Sequence, residues 1–451
     1  MKVCKFGGTS LASAEQIKKV FDIVTSDPER RIVVVSAPGK ENDADIKVTD
    51  MLINVAETFL NTGSCENELM AVVKRYEKIA EGLNLGNEIV KDIENNLRTR
   101  ISLGYDNRFK FIDRIKAAGE DNSARLVAQY FNSRGVSAQY INPKDAGLYL
   151  SDEYGNARVL PQSFKNLAKL RNMDGILIFP GFFGYSLSGE VVTFPRGGSD
   201  ITGSILAVSV EADVYENFTD VDSVYAANPK LIKNPKPIPV LTYREMRELA
   251  YAGFSVLHEE TLAPLFKKGV PVNIKNTNKP DAPGTMIVTS REVKNGPVVG
   301  IAGAGGFVTI NIHKYMMNRE IGFGRKVMWI LEEEAVPFEH IPSGIDDISV
   351  IIKKQYLDEE KKSRIMERIA HDLAVDSVSI TYNLALVMVV GEGMLRRVGV
   401  ASRATTALAQ SGVNIQMINQ GSSEVSIMFG IDEKDLDTAI IALYNEFFEK
   451  E

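Results

Sequence analysis

At 451 residues the chain exceeds one ordinary domain, and two or three are expected. A hydrophobic share of 44% with 25% charged residues is that of a water-soluble globular protein, and no apolar run approaches the roughly 20 residues of a membrane span. A net charge of −7 gives no electrostatic case for nucleic acid, so any anionic ligand has to be met by local cations. The two cysteines, Cys4 and Cys65, make neither a disulfide framework nor a metal spacing. The chain enters a strand without a signal-peptide core, which makes the cytoplasm the expected location.

Val3–Phe6 and Ile32–Ser36 are short β-rich runs, and between them Ala12–Thr25 repeats apolar residues at helical spacing. Strand, helix, strand is the unit of a parallel α/β sheet. Residues about 50–116 are mostly helical in pattern and charged, as a helical insertion would be. Gly135–Tyr140, Gly175–Phe179, Val191–Thr193, Val214–Phe218 and Val270–Ile274 are expected to join the same sheet. The expectation is an α/β domain over residues 1–290, its mostly parallel sheet sandwiched by helices. The polar stretch Ser290–Pro297 is the best boundary, and residues 298–451 form a second region.

That second region contains a repeat. An offset of 77 residues pairs Gly322 with Gly399, Leu331 with Leu408 and Val336 with Val413. It also pairs Ile341 with Ile418, Gly344 with Gly421 and Ser349 with Ser426, without a gap. Each copy reads strand, loop, helix, strand, strand, helix, the first over about 306–382 and the second over about 384–451. The first closes with a strand at Ser377–Tyr382, but the second ends in a helix. An open edge is a liability, so Val298–Ala302 is expected to supply the missing strand, interleaving the two units. Trp329 and the pair Met316-Met317 read as core.

Three loops could carry chemistry. Lys5-Phe6-Gly7-Gly8-Thr9-Ser10 lies between the first strand and the first helix, where glycines admit a phosphate and a helix N-terminus offers N–H donors. It is not a P-loop, and a tight turn with a solvated lysine is an equal reading. Phe194-Pro195-Arg196-Gly197-Gly198-Ser199-Asp200 precedes an apolar helix and suits anion capture. Alone it reads better as an N-cap. Thr219-Asp220-Val221-Asp222 through Lys230 starts like a calcium loop, but Tyr225 stands where glycine is required. It is a strand-end turn or a nucleotide-lining loop.

Together these runs resemble the aspartokinases of the amino-acid kinase superfamily. Val34-Val35-Ser36-Ala37, Gly119-Glu120, Leu249–Gly253, Val256-Leu257-His258 and Pro283-Gly284-Thr285 continue the resemblance in order along nearly the whole chain. The repeat resembles the paired ACT domains of that family, with ferredoxin-like βαββαβ units. Ser223 and Asn228 replace the glycine and aspartate usual in the nucleotide loop, and Glu259 replaces a proline. His258 is set aside as a packed residue, and His313, His340 and His371 show no ligand spacing.

The resemblance implies phosphorylation of the β-carboxylate of L-aspartate by ATP, with Mg²⁺ carried on the nucleotide and no metal site of the protein's own. It implies that Lys5 bridges the transferring phosphoryl group with the amides of Gly7 and Gly8, and that Asp200 orients Lys5 or the metal-bound phosphates. Arg196 would hold the α-carboxylate and Glu120 the α-ammonium, with Ser36, Thr49, Gly197, Gly198 and Ser199 lining the acceptor pocket. Thr219, Asp220, Tyr225 and Lys230 would line the nucleotide site. ACT units imply feedback inhibition by an amino acid, with lysine expected and threonine a live alternative. Met317, Phe323, Phe338, Glu339, Ser343, Gly344, Ile345 and Asp346 would form that site, Glu339 and Asp346 answering a ligand ammonium. A homodimer or dimer of dimers through the ACT units is implied. The competing readings are another kinase of the superfamily, against which Gly119-Glu120, Arg196 and the tandem repeat speak, and a non-catalytic ACT sensor, against which Lys5, Arg196 and Asp200 stand intact.

Overall fold

The computed structural model describes residues 1–254, 259–293, 296–421 and 423–450. Val256, Leu257 and His258 therefore lie outside the described residues. The chain forms two compact units. The first comprises Met1–Val224, Pro237–Tyr243 and Ser255–Arg291; the second comprises Tyr225–Lys236, Arg244–Phe254 and Glu292–Glu451.

The first unit is built on a sheet that begins with β1 (Lys2–Phe6), β2 (Arg30–Val35), β3 (Ala138–Tyr140) and β4 (Ile176–Pro180). A separate hairpin follows, β5 (Phe183–Tyr185) and β6 (Val191–Thr193). The sheet is completed by β7 (Val214–Thr219), β8 (Val240–Thr242), β9 (Val272–Asn276) and β10 (Thr285–Val288). Its order is β3-β4-β2-β1-β7-β9-β10-β8, parallel throughout except between β9 and β10. Central strands covered on both faces read as unbroken apolar runs, which explains Ile32, Val33, Val34 and Val35, all fully buried.

Val191–Thr193, expected in this sheet, instead pairs antiparallel with Phe183–Tyr185. The five residues between these strands turn back through Ser186 and Gly189, so a local hairpin wins over a distant ladder. β8 and β10 went unseen because three- and four-residue strands carry almost no periodicity. The helices Val48–Thr62, Glu66–Gly82, Asn87–Ser102 and Arg108–Lys116 share one apolar core with β1, β2 and the helix Ala118–Ser133, through Leu52, Val72, Tyr76, Ile93, Phe111 and Val127.

The second unit holds β11 (Gly300–His313), β12 (Asp347–Lys353), β13 (Ser377–Val390), β14 (Ile415–Asn419) and β15 (Ser426–Asp432) in the order β12-β11-β13-β15-β14. Interleaving is explicit in the register. The first half of β11, Gly300–Ala304, pairs with Leu386–Val390, whereas its second half, Phe307–His313, pairs with Ser377–Leu384 and with β12. The strand that the second copy lacks is thus fused to the first strand of the first copy.

Between its helices the first copy forms one strand and isolated bridges at His340 and Ser343, where two strands were expected. Pro337 and Pro342 remove backbone donors from that segment, and the second copy has no proline there. Met317 is core, but Met316 and Trp329 are 53% and 50% exposed. The guanidinium of Arg368 covers one face of the Trp329 ring.

Two segments from before residue 290 pack in this second unit. Ile301 N–H donates to the Ala226 carbonyl at 2.7 Å. Glu245 accepts from the Glu392 amide and Glu248 from the Ser426 hydroxyl, both at 2.8 Å. Among the described residues no helix is long and apolar enough to cross a membrane.

Ile301 is fully buried where the two repeat copies share strands. Ile301→Ala should cost the second unit about 2–5 kcal/mol in denaturant unfolding. A loss under about 0.5 kcal/mol would contradict the fused-strand core.

Candidate active site

In open α/β sheets ligands bind beyond the carboxyl ends of the strands, and the first unit has a cavity of about 770 Å³ there. Thirteen of the residues proposed from sequence line it: Lys5, Gly7, Gly8, Ser36, Thr49, Glu120, Arg196 through Asp200, Thr219 and Asp220. Tyr225 and Lys230 belong to the second unit, Tyr225 partly buried and Lys230 exposed.

Lys5 ends β1 pointing into the cavity. Its Nζ lies 2.6 Å from Asp200 Oδ1 and 3.5 Å from Asn217 Oδ1, and Asn217 Nδ2 donates to the same Asp200 oxygen at 2.8 Å. Both members of the pair are mostly buried, Lys5 at 9% and Asp200 at 15% side-chain exposure. This triangle fixes the ammonium at the cavity floor. Asn217, which braces this pair, belongs to no motif. A polar residue inside the buried strand Val214–Thr219 was the available signal.

The glycines have steric reasons. A Cβ at Gly39 would lie 2.6 Å from the Gly8 carbonyl carbon, and Gly39 N–H donates to the Gly8 carbonyl at 2.8 Å. The loops after β1 and β2 can therefore touch only as glycines. Gly197, at φ +85°, is the left-handed N-cap of the helix Gly198–Ser209 and turns that helix's N-terminus toward the cavity. Asp200 sits in its first turn, and Arg196 stands exposed just before it. Phe182, a non-glycine at φ +72°, also lines the cavity, as does Lys116. Neither was singled out from sequence.

Glu120 is 5% exposed, and its Oε2 has no hydrogen-bond partner. Burial pushes its carboxyl up to about 8, with a backbone hydrogen bond from Ala37 and the charge of Lys116 acting the other way. A buried, half-satisfied carboxyl lining a cavity calls for a cationic partner. Among the described residues no group of three or more His, Cys, Asp or Glu side chains could hold a metal ion.

In the first repeat copy the structure brings the loop after β11 against residues 345–346. Lys314 N–H donates to the Asp346 carbonyl at 2.8 Å, Met316 N–H to Asp346 Oδ1 at 2.7 Å, and Asn318 N–H to the Ile345 carbonyl at 3.1 Å. Met317 and Phe323 are buried beneath, while Phe338, Ser343, Gly344 and Ile345 are exposed. Glu339 is already engaged by the Tyr251 hydroxyl and, at 3.4 Å, by Lys353. Asn228 accepts from the Lys230 amide at 3.0 Å, so the residue that departs from the family pattern still closes its turn as an aspartate would.

Residues 1–276 match the amino acid kinase family and residues 387–447 an ACT domain. Aspartokinase 3 of Bacillus subtilis is 56% identical over 99% of both chains. The aspartate kinase structure from Clostridium acetobutylicum superposes with a TM-score of 0.88 at 38% identity, covering 99% of this chain and 100% of that one. Aspartokinase III of Escherichia coli, 26% identical, has structures with aspartate and ADP (R-state) and with lysine and aspartate (T-state). Their TM-scores are 0.81 and 0.76, each covering 99% of this chain and at least 99% of the other. Fold and site thus define an amino acid kinase that carries ACT units and is allosterically regulated. Within that class the chain belongs to the aspartokinases.

The state of Glu120 makes stability depend on pH. Unfolded, its carboxyl titrates near 4.5; folded, near 8. Between these values the native state keeps a proton that the unfolded state has lost, so this group's contribution falls as pH rises through the window and is constant above it. Glu120→Gln removes that component. Denaturant midpoints should therefore favour the variant over the parent increasingly from pH 5 to pH 8. A difference independent of pH would contradict the buried, protonated carboxyl.

Proposed function

We propose that the chain transfers the γ-phosphoryl group of ATP to the β-carboxylate of L-aspartate, by positioning and charge neutralisation in the cavity beyond β1, β2 and β7. The observation that carries this is the Lys5–Asp200 pair, braced from behind by Asn217, lining the same cavity as Arg196 and Glu120. An aspartate side chain has a reference pKa of about 3.9 and is already an ionised nucleophile at neutral pH. No general base is required. The difficulty is bringing that anion to a polyphosphate.

Lys5 Nζ meets the transferring group, with Gly7 and Gly8 amides beside it, and Asp200 keeps the ammonium aimed. Arg196 takes the α-carboxylate in bidentate fashion, and Glu120 takes the α-ammonium. Ser36, Thr49, Gly197, Gly198 and Ser199 shape the acceptor pocket. Thr219, Asp220, Tyr225 and Lys230 serve the nucleotide. Mg²⁺ would come with the phosphates, since Asp200, one of the carboxylates lining the cavity, is committed to Lys5. When bound it neutralises phosphate charge.

Regulation is assigned to lysine acting on the first ACT copy. Aspartokinase III with lysine and aspartate supports that choice, as does Asp346, whose second carboxylate oxygen remains for a ligand ammonium beside exposed Ser343 and Ile345. Because Glu339 already has Lys353, Asp346 carries the larger share of ligand recognition. Ile321 and Val398, at equivalent points of the two copies, are 97% and 98% exposed, which supports assembly of copies through these units.

With ATP, Mg²⁺ and aspartate, the acyl phosphate should be trapped by hydroxylamine. Glutamate in place of aspartate giving the larger signal would move the enzyme elsewhere in the superfamily. Lys5→Ala should lower turnover roughly a thousandfold or more in a folded protein; near-parental turnover would exclude its role. Lysine should inhibit the parent more than threonine does, and Asp346→Ala should weaken that inhibition without changing kcat. Unchanged inhibition would place the effector elsewhere.

A further inference from the structure

Lys116 lines the same cavity as Arg196 and Glu120. It ends the helix Arg108–Lys116; Ala117, at φ −59° and ψ −21°, carries the helical path on into Ala118–Ser133. Lys116 therefore sits four residues before Glu120 on one nearly continuous helical stretch, and the two side chains leave the backbone on the same side. Their charges are close enough to act on each other.

The lysine is held. Its Nζ is 3.0 Å from Asp113 Oδ1 and 3.2 Å from the Thr193 hydroxyl, and it rests over the Phe182 ring at 5.6 Å. Asp113 is fixed in turn, its Oδ2 accepting from Gly155 and Thr193 amides at 2.8 Å each. An ammonium has three donors, so two are spent on the protein and the third has no partner among the described residues. Arg196, by contrast, is exposed, and an exposed cation alone anchors an anion weakly.

We propose that Lys116 is a specificity-determining residue whose remaining N–H, together with Arg196, reads the α-carboxylate of the acceptor. This rests on the reading above that Glu120 holds the acceptor's ammonium, since the α-carboxylate is bonded to the same carbon. The β-carboxylate is then left to point at Lys5.

The test compares L-aspartate with its α-amide, which keeps the phosphoryl-accepting β-carboxylate but lacks the α-charge. Lys116→Met should lose roughly ten- to hundredfold in kcat/KM for aspartate, much less for the α-amide, with KM for ATP unmoved. Lys116→Arg should restore part of the discrimination. Lys116→Gln, which keeps donors toward Asp113 and Thr193 without the charge, gives the same reading should the methionine variant fail to fold. Equal losses on both acceptors, the result of a purely structural ion pair, would overturn the proposal. Arg196→Met separates the two layers. If it narrows the discrimination and the Lys116 variants do not, only Lys116 is misassigned; if neither does, the acceptor-site reading itself falls.

Discussion

An acidic amino acid and a nucleotide polyphosphate repel each other at the range where phosphoryl transfer occurs. Two unit charges 4 Å apart cost about 1 kcal/mol in water and about 4 kcal/mol at the effective dielectric of a protein surface. With the chain's own net charge at −7, the field of the whole molecule does not help. Cations must be placed at the point of meeting, and the first unit lines one cavity with Lys5, Arg196 and Lys116. Lys5 comes from the end of a central strand, Arg196 from the residue before a helix N-terminus, and Lys116 from the end of the helical layer. Each is tied to a different element, so their spacing is a property of the sheet and its covering helices.

Placement has its own cost. A charged ammonium in a mostly buried position has given up water and needs acceptors from the protein. Asp200 and Asn217 answer this for Lys5, and Asp113 with Thr193 for Lys116. Glu120 is treated differently: one of its carboxyl oxygens is buried without a partner, and burial outweighs the charge of Lys116, so it keeps its proton until a ligand cation arrives. A site with held cations and one carboxyl awaiting a partner suits a zwitterionic acceptor better than a simple anion. In the second unit the same logic of shared construction appears as covalent economy, with one strand, Gly300–His313, serving both repeat copies. The segments Tyr225–Lys236 and Arg244–Phe254 pack with that repeat although they precede it in sequence, so the polypeptide passes repeatedly between the units.

Much of this was legible from residues. The central strands, the first helix and the glycine loops follow from β-rich runs and turn chemistry, and the 77-residue offset exposed the repeat and its missing strand. What stayed hidden has physical reasons. The strand Val191–Thr193 gave the right element but the wrong partner, because a strand's sequence does not name its neighbour. Trp329 and Met316 read as core from side-chain type, yet Trp329 is covered by an arginine from the next helix, and Met316 takes a left-handed conformation, φ +61°, that turns it outward. Pro337 and Pro342 were visible and should have argued against a second strand in the first copy. Asn217, Phe182 and Lys116 lie in no motif; Phe182 and Lys116 reach the cavity, and Asn217 the Lys5–Asp200 pair, only because the fold brings distant segments together. Lys5 and Asp200, 195 positions apart in the numbering, were joined by resemblance and not by spacing.

The most direct test of the electrostatic account is a crystal structure of this chain with aspartate, Mg²⁺ and a non-hydrolysable ATP analogue. The account predicts Lys5 Nζ within about 3 Å of a γ-phosphate oxygen, with the aspartate ammonium on Glu120 and its α-carboxylate at Arg196. Ligands seated with no ammonium or guanidinium group beside the facing phosphate and carboxylate would contradict it.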